Sequence, residues 1–346
     1  CPFRIPAPRF RACGPVAFVF RIFYHVVRHN KSTFSPIWKE RPVTMKRTAV
    51  LSVFCLGAAF LLTGCGEEEE SSSAEPRRFT TTFVSYMDTA VNFTAYCDTS
   101  GDFDRAAQIV ADTLAEADRL YDRYDEKSAL SALNRAAGTF VSVPEPLSGL
   151  LRSCGEWADE TGGVCLAMGK IVDVWQEARR TRLLPEEAAV RDALARAKEA
   201  ALEWGKDGLR LMGSGAALDL GCVAKGAAAD EAADRLLAAG FDTFLLDCGT
   251  SSLRCSGAPP GREGWTAALV NPDSRLNLSG SASPVAALGI LVLRDEAVGV
   301  SGDYQQYAVL DGEVYAHILD PDTGYPARFV RQVCVLTSSA ARADFL

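Results

Sequence analysis

Six short apolar runs follow one another in the second half of the chain, with no helical stripe between them. They are FDTFLLD (241–247), WTAALV (265–270), LGILVLR (288–294), AVGV (297–300), VYAHI (314–318) and QVCVLTS (332–338). Each reads as a strand. Parallel neighbours need a crossover of a dozen or more residues, usually a helix. A run of consecutive strands therefore argues for mixed or antiparallel sheets and against a doubly wound parallel sheet. The helical patterns lie mostly upstream. FDRAAQIVADTLAEADRLYDRYD carries a stripe at Ile109, Val110, Leu114, Ala117, Leu120 and Tyr121, the spacing of one helix face. PEPLSGLLRSCGEWADETGG is a second helix, stopped by Gly162 and Gly163. LLPEEAAVRDALARAKEAAL opens with Pro185 and acids in its first turn. LDLGCVAKGAAADEAADRLLAAGF reads as a strand end entering a helix that begins near Val223 and stops at Gly240. RRFTTTFVSYMDTAVNFTAYCD alternates and reads as one or two strands. The fold class expected is α+β, with helices packed on sheet.

Before this domain the sequence has the layout of a secretory signal. Met45 is followed by Lys46 and Arg47, then by an apolar run over 48–62 too short for a comfortable membrane span, then by LLTGC. The run ends in small residues before Cys65, which resembles a bacterial lipoprotein box. That resemblance implies lipidation of Cys65, cleavage before it and a membrane-anchored, extracytoplasmic protein, on the periplasmic face or the cell surface. An uncleaved N-terminal anchor is the alternative. GEEEESSSAEPRR cannot bury apolar surface and reads as a solvated tether. The expected organisation is a non-structural segment over 1–44, a signal over 45–64, a tether over 65–78 and one domain over 79–346, whose last element is cut short after ARADFL.

From Gly66 onward there are 26 Lys and Arg against 43 Asp and Glu, a formal charge of about −17. That charge argues against a nucleic-acid footprint, which needs a basic face. Seven cysteines follow Cys65, at positions 97, 154, 165, 222, 248, 255 and 334, with no CxxC pair. A structural zinc site is not expected. Most sit in apolar stretches as small hydrophobes, so buried thiols are expected, with room for one disulfide.

Three stretches carry candidate chemistry. In LDLGCVAKGAAAD (218–230), Asp219 and a Gly turn precede a helix start, where free N–H groups suit phosphate. Lys225 falls in that first turn, where a cation is unfavourable unless an anion joins it; a surface lysine is the plain alternative. In VSGDYQQY, Ser301, Gly302 and Asp303 form a polar strand-end turn, followed by Tyr304 and Tyr307. In HILDPDTGYPA (317–327), His317 is the only histidine after the signal, and it precedes a turn made rigid by Pro and Gly.

Taken in order, YMDTAV, SALSALN, MGKIVDVW, DLGCVAKGAAAD, VSGDY, HILDPDTGYPA and ARADFL resemble the motif series of the ApbE-type flavin transferases, across about residues 79–346. The resemblance implies the ApbE-like fold with an FAD cleft. It implies transfer of FMN from FAD to a Ser or Thr hydroxyl of a target protein through a phosphoester, with AMP released and Mg²⁺ required. The implied acceptor is an electron-transfer subunit or an FMN-carrying domain. By the match, the Cys222 carbonyl and the Asp344 carboxylate hold the metal, with a hydroxyl ligand four residues after Asp344. Lys225 and Ser301 face phosphate. Met87, Asp219, Gly302, Asp303 and Tyr304 line the FAD cleft. His317 sits beside the pyrophosphate as base or phosphate partner, and Lys225 and Asp303 join it as catalytic candidates. The sequence departs from the pattern at Asp88 and Thr250, where the family has glycine, at Val164–Cys165, where it has Phe-Asp, and at Val300, where it has Thr. A non-catalytic FAD-binding lipoprotein and a metal-dependent FAD pyrophosphatase are the alternative readings.

Overall fold

The computed structural model describes residues 19–20 and 75–346, except 163, 275–285 and 329. The signal, Cys65 and the tether up to residue 74 lie outside the described residues, as does nearly all of 1–44. Among the described residues, no helix is long and apolar enough to cross a membrane.

The alternating segment near residue 80 is two strands. After a two-residue strand, β1 (Val19–Phe20), come β2 (Arg77–Tyr86) and β3 (Thr89–Cys97), paired antiparallel. Met87 and Asp88 turn this hairpin, both left-handed at φ 54° and 49°. A two-residue hairpin turn of this kind needs φ > 0 at both central residues, which explains a family glycine at position 88. Asp tolerates that conformation better than most residues.

Helices follow: α1 (Ser100–Tyr121), α2 (Ala129–Arg135), α3 (Glu145–Thr161), α4 (Gly169–Thr181) and α5 (Glu187–Glu199). Thr99 caps α1 through its side chain, and Gly162, left-handed at φ 69°, ends α3. The hairpin β4 (Ala201–Gly205) and β5 (Gly208–Met212) precedes α6 (Ala224–Ala238). The remaining strands are β6 (Phe244–Cys248), β7 (Ser252–Ser256), β8 (Trp265–Val270), β9 (Ala287–Leu293), β10 (Ala297–Gly302), β11 (Tyr307–Leu310), β12 (Glu313–Ala316) and β13 (Gln332–Thr337), closed by α7 (Ala340–Phe345).

The main sheet runs β1-β13-β10-β7-β6-β3-β2, every pair antiparallel. One face carries α1 and α6, with Phe93, Val110, Leu114, Leu236 and Phe244 fully enclosed between them. The opposite face packs Cys255, Val298 and Cys334 against Trp265 and Leu293 of the β8–β9 hairpin. Two satellite cores flank this unit. One gathers α2, α3 and β4–β5, and the other gathers α4, α5 and β11–β12. The α+β expectation holds in this arrangement. The strand expected before α6 is absent: residues 218–223 are an irregular run and a turn, preceded by an isolated Met168–Ala217 bridge. β10 also continues through Ser301 and Gly302, so the turn begins at Asp303. The seven cysteines described are all free thiols, and five of them are buried. The room left for a disulfide is not used.

Thr250 lies in the loop between β6 and β7 with φ 62°. A β-branched residue is strained there, while the neighbouring Gly249 is needed because a Cβ would lie 2.2 Å from Thr89 Oγ1. Thr250→Gly keeps the N–H bonded to Asp247 Oδ1 at 2.9 Å and removes the strain. The expected result is a gain of about 1 kcal/mol, or about 2–4 °C in melting temperature by calorimetry. A lower melting temperature would show that the Thr side chain is held by something other than its backbone.

Candidate active site

The turn before α6 is built first. Asn134, at the end of α2, grips the peptide of Leu218 from both sides: its Nδ2 donates to the Leu218 carbonyl at 3.0 Å and its Oδ1 accepts from the Leu218 N–H at 2.8 Å. The next residue is fixed in turn, since Asp219 N–H donates to the Leu166 carbonyl at 2.8 Å. Asp219 Oδ1 accepts from Gly221 N–H at 2.8 Å and Oδ2 meets Arg123 Nη1 at 3.4 Å. Arg123 is nearly enclosed; it also binds Asp173 Oδ1 at 2.9 Å and donates to the Tyr124 hydroxyl at 2.9 Å. Gln176 holds the same hydroxyl at 2.7 Å, so the exposed Tyr124 ring stands in a fixed position beside Asp219. Cys222 is exposed on this turn.

At the first turn of α6, Val223 offers no side-chain cap. The carboxylate of Asp344, on α7, supplies one. Its Oδ2 accepts from Gly226 N–H at 2.8 Å and from Ser252 Oγ at 2.6 Å. Oδ1 has no hydrogen-bond partner among the described residues. Burial pushes the Asp344 carboxyl up to about 7, against the Ser252 hydrogen bond and the nearby Lys225. Lys225 makes no ion pair among the described residues, yet its charge reaches both Asp344 and His317.

His317 follows β12. Its ring Nδ1 lies 3.1 Å from the Gln306 carbonyl, which can only accept, so Nδ1 carries the proton. The backbone N–H of His317 donates to the same carbonyl at 3.0 Å. Burial, then the charges of Arg179 and Lys225, pull the imidazole pKa below its ordinary value, against the Gln306 hydrogen bond. The ring is neutral at pH 7 and leaves the Nε2 lone pair free. The carboxylates beside it serve the turn: Asp320 Oδ1 accepts from Asp322 N–H at 2.8 Å, and Gly324 N–H closes onto the Asp320 carbonyl at 2.8 Å. Trp175 of α4 then locks the turn, donating Nε1 to the Gly324 carbonyl at 2.8 Å and packing on Tyr315 and Tyr325.

The remaining predicted residues gather at the β10–β13 end. Ser301 is exposed at the last rungs of β10, and Gly302 is required because a Cβ there would lie 2.4 Å from the Tyr304 ring. Asp303 Oδ2 meets Arg331 Nε at 2.5 Å, and Arg331 also binds Asp273 at 2.6 Å. Burial raises the Asp303 pKa although Arg331 opposes it. Its charged neighbours are Arg331 and Asp273, and no contact among the described residues joins it to His317. Asp303 Oδ1, Arg331 Nη2 and both polar atoms of Gln332 are buried without partners among the described residues, a concentration of unmet polar groups that native interiors normally avoid. Met87 donates its N–H to Asp118 Oδ1 at 2.9 Å, which orients the tip of the first hairpin. Arg123, Tyr124 and Ser252 were not singled out from sequence. The only signal near the first two was their place just before SALSALN.

The sequence pattern of the ApbE family matches residues 87–346. The chain belongs to the ApbE family. Among curated relatives, the FAD:protein FMN transferase of Treponema pallidum is 30% identical over 238 residues, 64% of this chain and 64% of that protein. The Salmonella typhimurium protein of the same name is 27% identical over 312 residues, 87% of this chain and 85% of its own length. This ApbE-family chain spans just under two thirds of the first two curated relatives it matches. Among solved structures, the flavin transferase ApbE from Vibrio cholerae superposes with a TM-score of 0.66 at 24% identity, covering 78% of this chain and 85% of that one. The ApbE protein of Thermotoga maritima gives 0.66 at 25%, covering 78% and 84%.

Proposed function

We propose that this chain transfers the FMN half of FAD to a Ser or Thr hydroxyl of another protein. The hydroxyl oxygen attacks the FMN phosphorus, a phosphoester O–P bond forms, the P–O bond to AMP breaks, and AMP leaves with that electron pair. The proton released by the hydroxyl goes to Nε2 of His317. The observation that carries this reading is the Asp344 carboxylate, tied to the Gly226 N–H beside Lys225 at the start of α6, with the Lys225 charge felt at His317 as well. A pyrophosphate needs its charge neutralised and its oxygens held in place, and the Lys225 ammonium suits both tasks; the N–H groups of Ala224 and Gly226 are already taken, by the Leu220 carbonyl and Asp344. In this reading Met87, Asp219, Ser301, Gly302, Asp303 and Tyr304 would line the FAD cleft, with Tyr124 beside Asp219.

The donors present fit a hard divalent cation, which takes oxygen ligands. Asp344 keeps Oδ1 free while Oδ2 is fixed by Gly226 and Ser252. Asp344 and the Cys222 carbonyl would hold Mg²⁺, which would neutralise pyrophosphate charge. The acceptor is a flavin-carrying or electron-transfer protein. A lipid on Cys65 would hold the enzyme at the outer face of a membrane, near such partners.

The test mixes the chain with FAD, Mg²⁺ and a candidate acceptor domain, then reads acceptor mass and in-gel flavin fluorescence. A mass gain of one FMN, lost when the acceptor threonine is changed to alanine, supports transfer. AMP with free FMN and unlabelled acceptor, across a panel of acceptors, would assign hydrolysis instead. FAD recovered intact would assign a carrier.

A further inference from the structure

Asp230 ends the DLGCVAKGAAAD motif, and nothing in the chemistry above uses it. It lies on α6, about one turn beyond Gly226, and points at the start of α7. Its Oδ1 accepts from Ala340 N–H at 2.8 Å, and its Oδ2 accepts from Ala341 N–H at 3.0 Å and from Ser339 Oγ at 2.7 Å. Ser339 Oγ accepts in turn from Arg342 N–H at 3.1 Å. A helix leaves its first N–H groups without internal partners; here Asp230 takes two of them and Ser339 a third. Arg254 Nε supports the carboxylate from the far side at 3.4 Å.

α7 is six residues long. A helix that short has little stability of its own, so its place depends on what grips it. Backbone packing gives part of the grip: a Cβ on Gly226 would lie 2.3 Å from the Ala340 carbonyl oxygen, and one on Gly299 2.4 Å from that of Ala343. The two helices also exchange caps. Asp230 of α6 closes the start of α7, and Asp344 of α7 closes the start of α6 through Gly226. Asp344 is about one helical turn from Ala340, so any slip of α7 at its first residue moves the carboxylate.

We propose that Asp230 is a positioning residue for Asp344: by pinning the first turn of α7, it sets where Asp344 Oδ1 meets the divalent cation. The proposal rests on the reading of Asp344 as a cation ligand. Two measurements on the full chain test it. One is the dissociation constant for Mn²⁺ without FAD, by electron paramagnetic resonance. The other is the ¹⁹F resonance of Trp157 in 5-fluorotryptophan protein, assigned with Trp157→Phe. Trp157 packs against Phe345 of α7 at 5.5 Å between ring centroids, so it reports the seating of that helix.

In Asp230→Asn, whose amide offers one acceptor oxygen and presents NH₂ to the helix donors, the Mn²⁺ constant rises by about 10–100-fold and the Trp157 resonance moves. Saturating Mn²⁺ recovers much of kcat, with the rise confined to the half-saturating cation concentration. Asp230→Ala behaves the same way more strongly; if it does not fold, the isosteric variant decides. Asp344→Ala loses Mn²⁺, and Asp344→Asn, which keeps an oxygen for Gly226 N–H and Ser252 Oγ, loses it with Trp157 in place. An Mn²⁺ constant within twofold of wild type in Asp230→Asn, while Asp344→Ala has lost binding, overturns the proposal alone. Unchanged Mn²⁺ binding in Asp344→Ala overturns the ligand reading, and the proposal with it.

Discussion

Replacing His317 by alanine lowers the rate of FMN transfer by about 10²–10⁴-fold, the usual worth of a positioned general base, and leaves the chain folded. The structural loss is one ring hydrogen bond to the Gln306 carbonyl, worth about 1 kcal/mol. Single-turnover assays at saturating FAD, paired with calorimetry, separate the two effects. The pH profile carries a second signature. Burial, aided by the charges of Arg179 and Lys225, lowers the His317 pKa. A base must be deprotonated to act, so the acidic limb of the wild-type rate profile falls below the ordinary imidazole value of about 6.5. The same shift links to stability. The folded chain releases this proton more readily than the unfolded one, so stability is lost as pH drops from about 6.5 toward the folded pKa. His317→Ala flattens both dependences. Full turnover in that variant would remove His317 from the chemistry.

The second large effect is at Asp344. Asp344→Asn keeps the shape and an oxygen for Gly226 N–H and Ser252 Oγ, but it removes the charge that a divalent cation needs. Transfer falls by about 10³-fold or more, since charge neutralisation on a transferring phosphoryl group is worth several kcal/mol and each 1.36 kcal/mol is tenfold. FAD binding in the absence of cation changes little. The check is a thermal-shift titration: wild type gains stability with added Mg²⁺ and Asp344→Asn does not. An equal Mg²⁺ shift in the two proteins would move the cation elsewhere.

The motif residues were legible because their chemistry is local. The Pro and Gly of 317–327 announce a turn, and the structure has that turn over Asp320–Tyr325, while Gln306 holds His317 at the end of β12. The carboxylates beside it mislead from sequence alone. Asp320 is spent on the N–H of Asp322, a role that backbone conformation decides and composition does not show. Asp219 lies in an irregular run because Asn134 and Leu166 already hold the hydrogen-bonding groups that a sheet neighbour would use. Ser252 could not be found in advance: its tie to Asp344 spans 92 residues and exists only once β7 and α7 are side by side. The link between Arg123 and Asp219, 96 residues apart, is of the same kind. The hairpin of β4 and β5 was readable in principle, since ALEWGKDGLRLM alternates around a Lys-Asp-Gly turn. Positions 88 and 250 explain the family glycines: both are left-handed.

The exchange of caps between α6 and α7 also sets a timetable. Gly226 and Asp344 are 118 residues apart, and the strand leading into α7, β13, must first lie along β10. Contacts that close such long loops form late in folding. A chain emerging from the ribosome has Lys225 well before it has a docked α7. The unfinished polypeptide therefore lacks the paired caps of α6 and α7, and the site proposed above is assembled only when folding is complete.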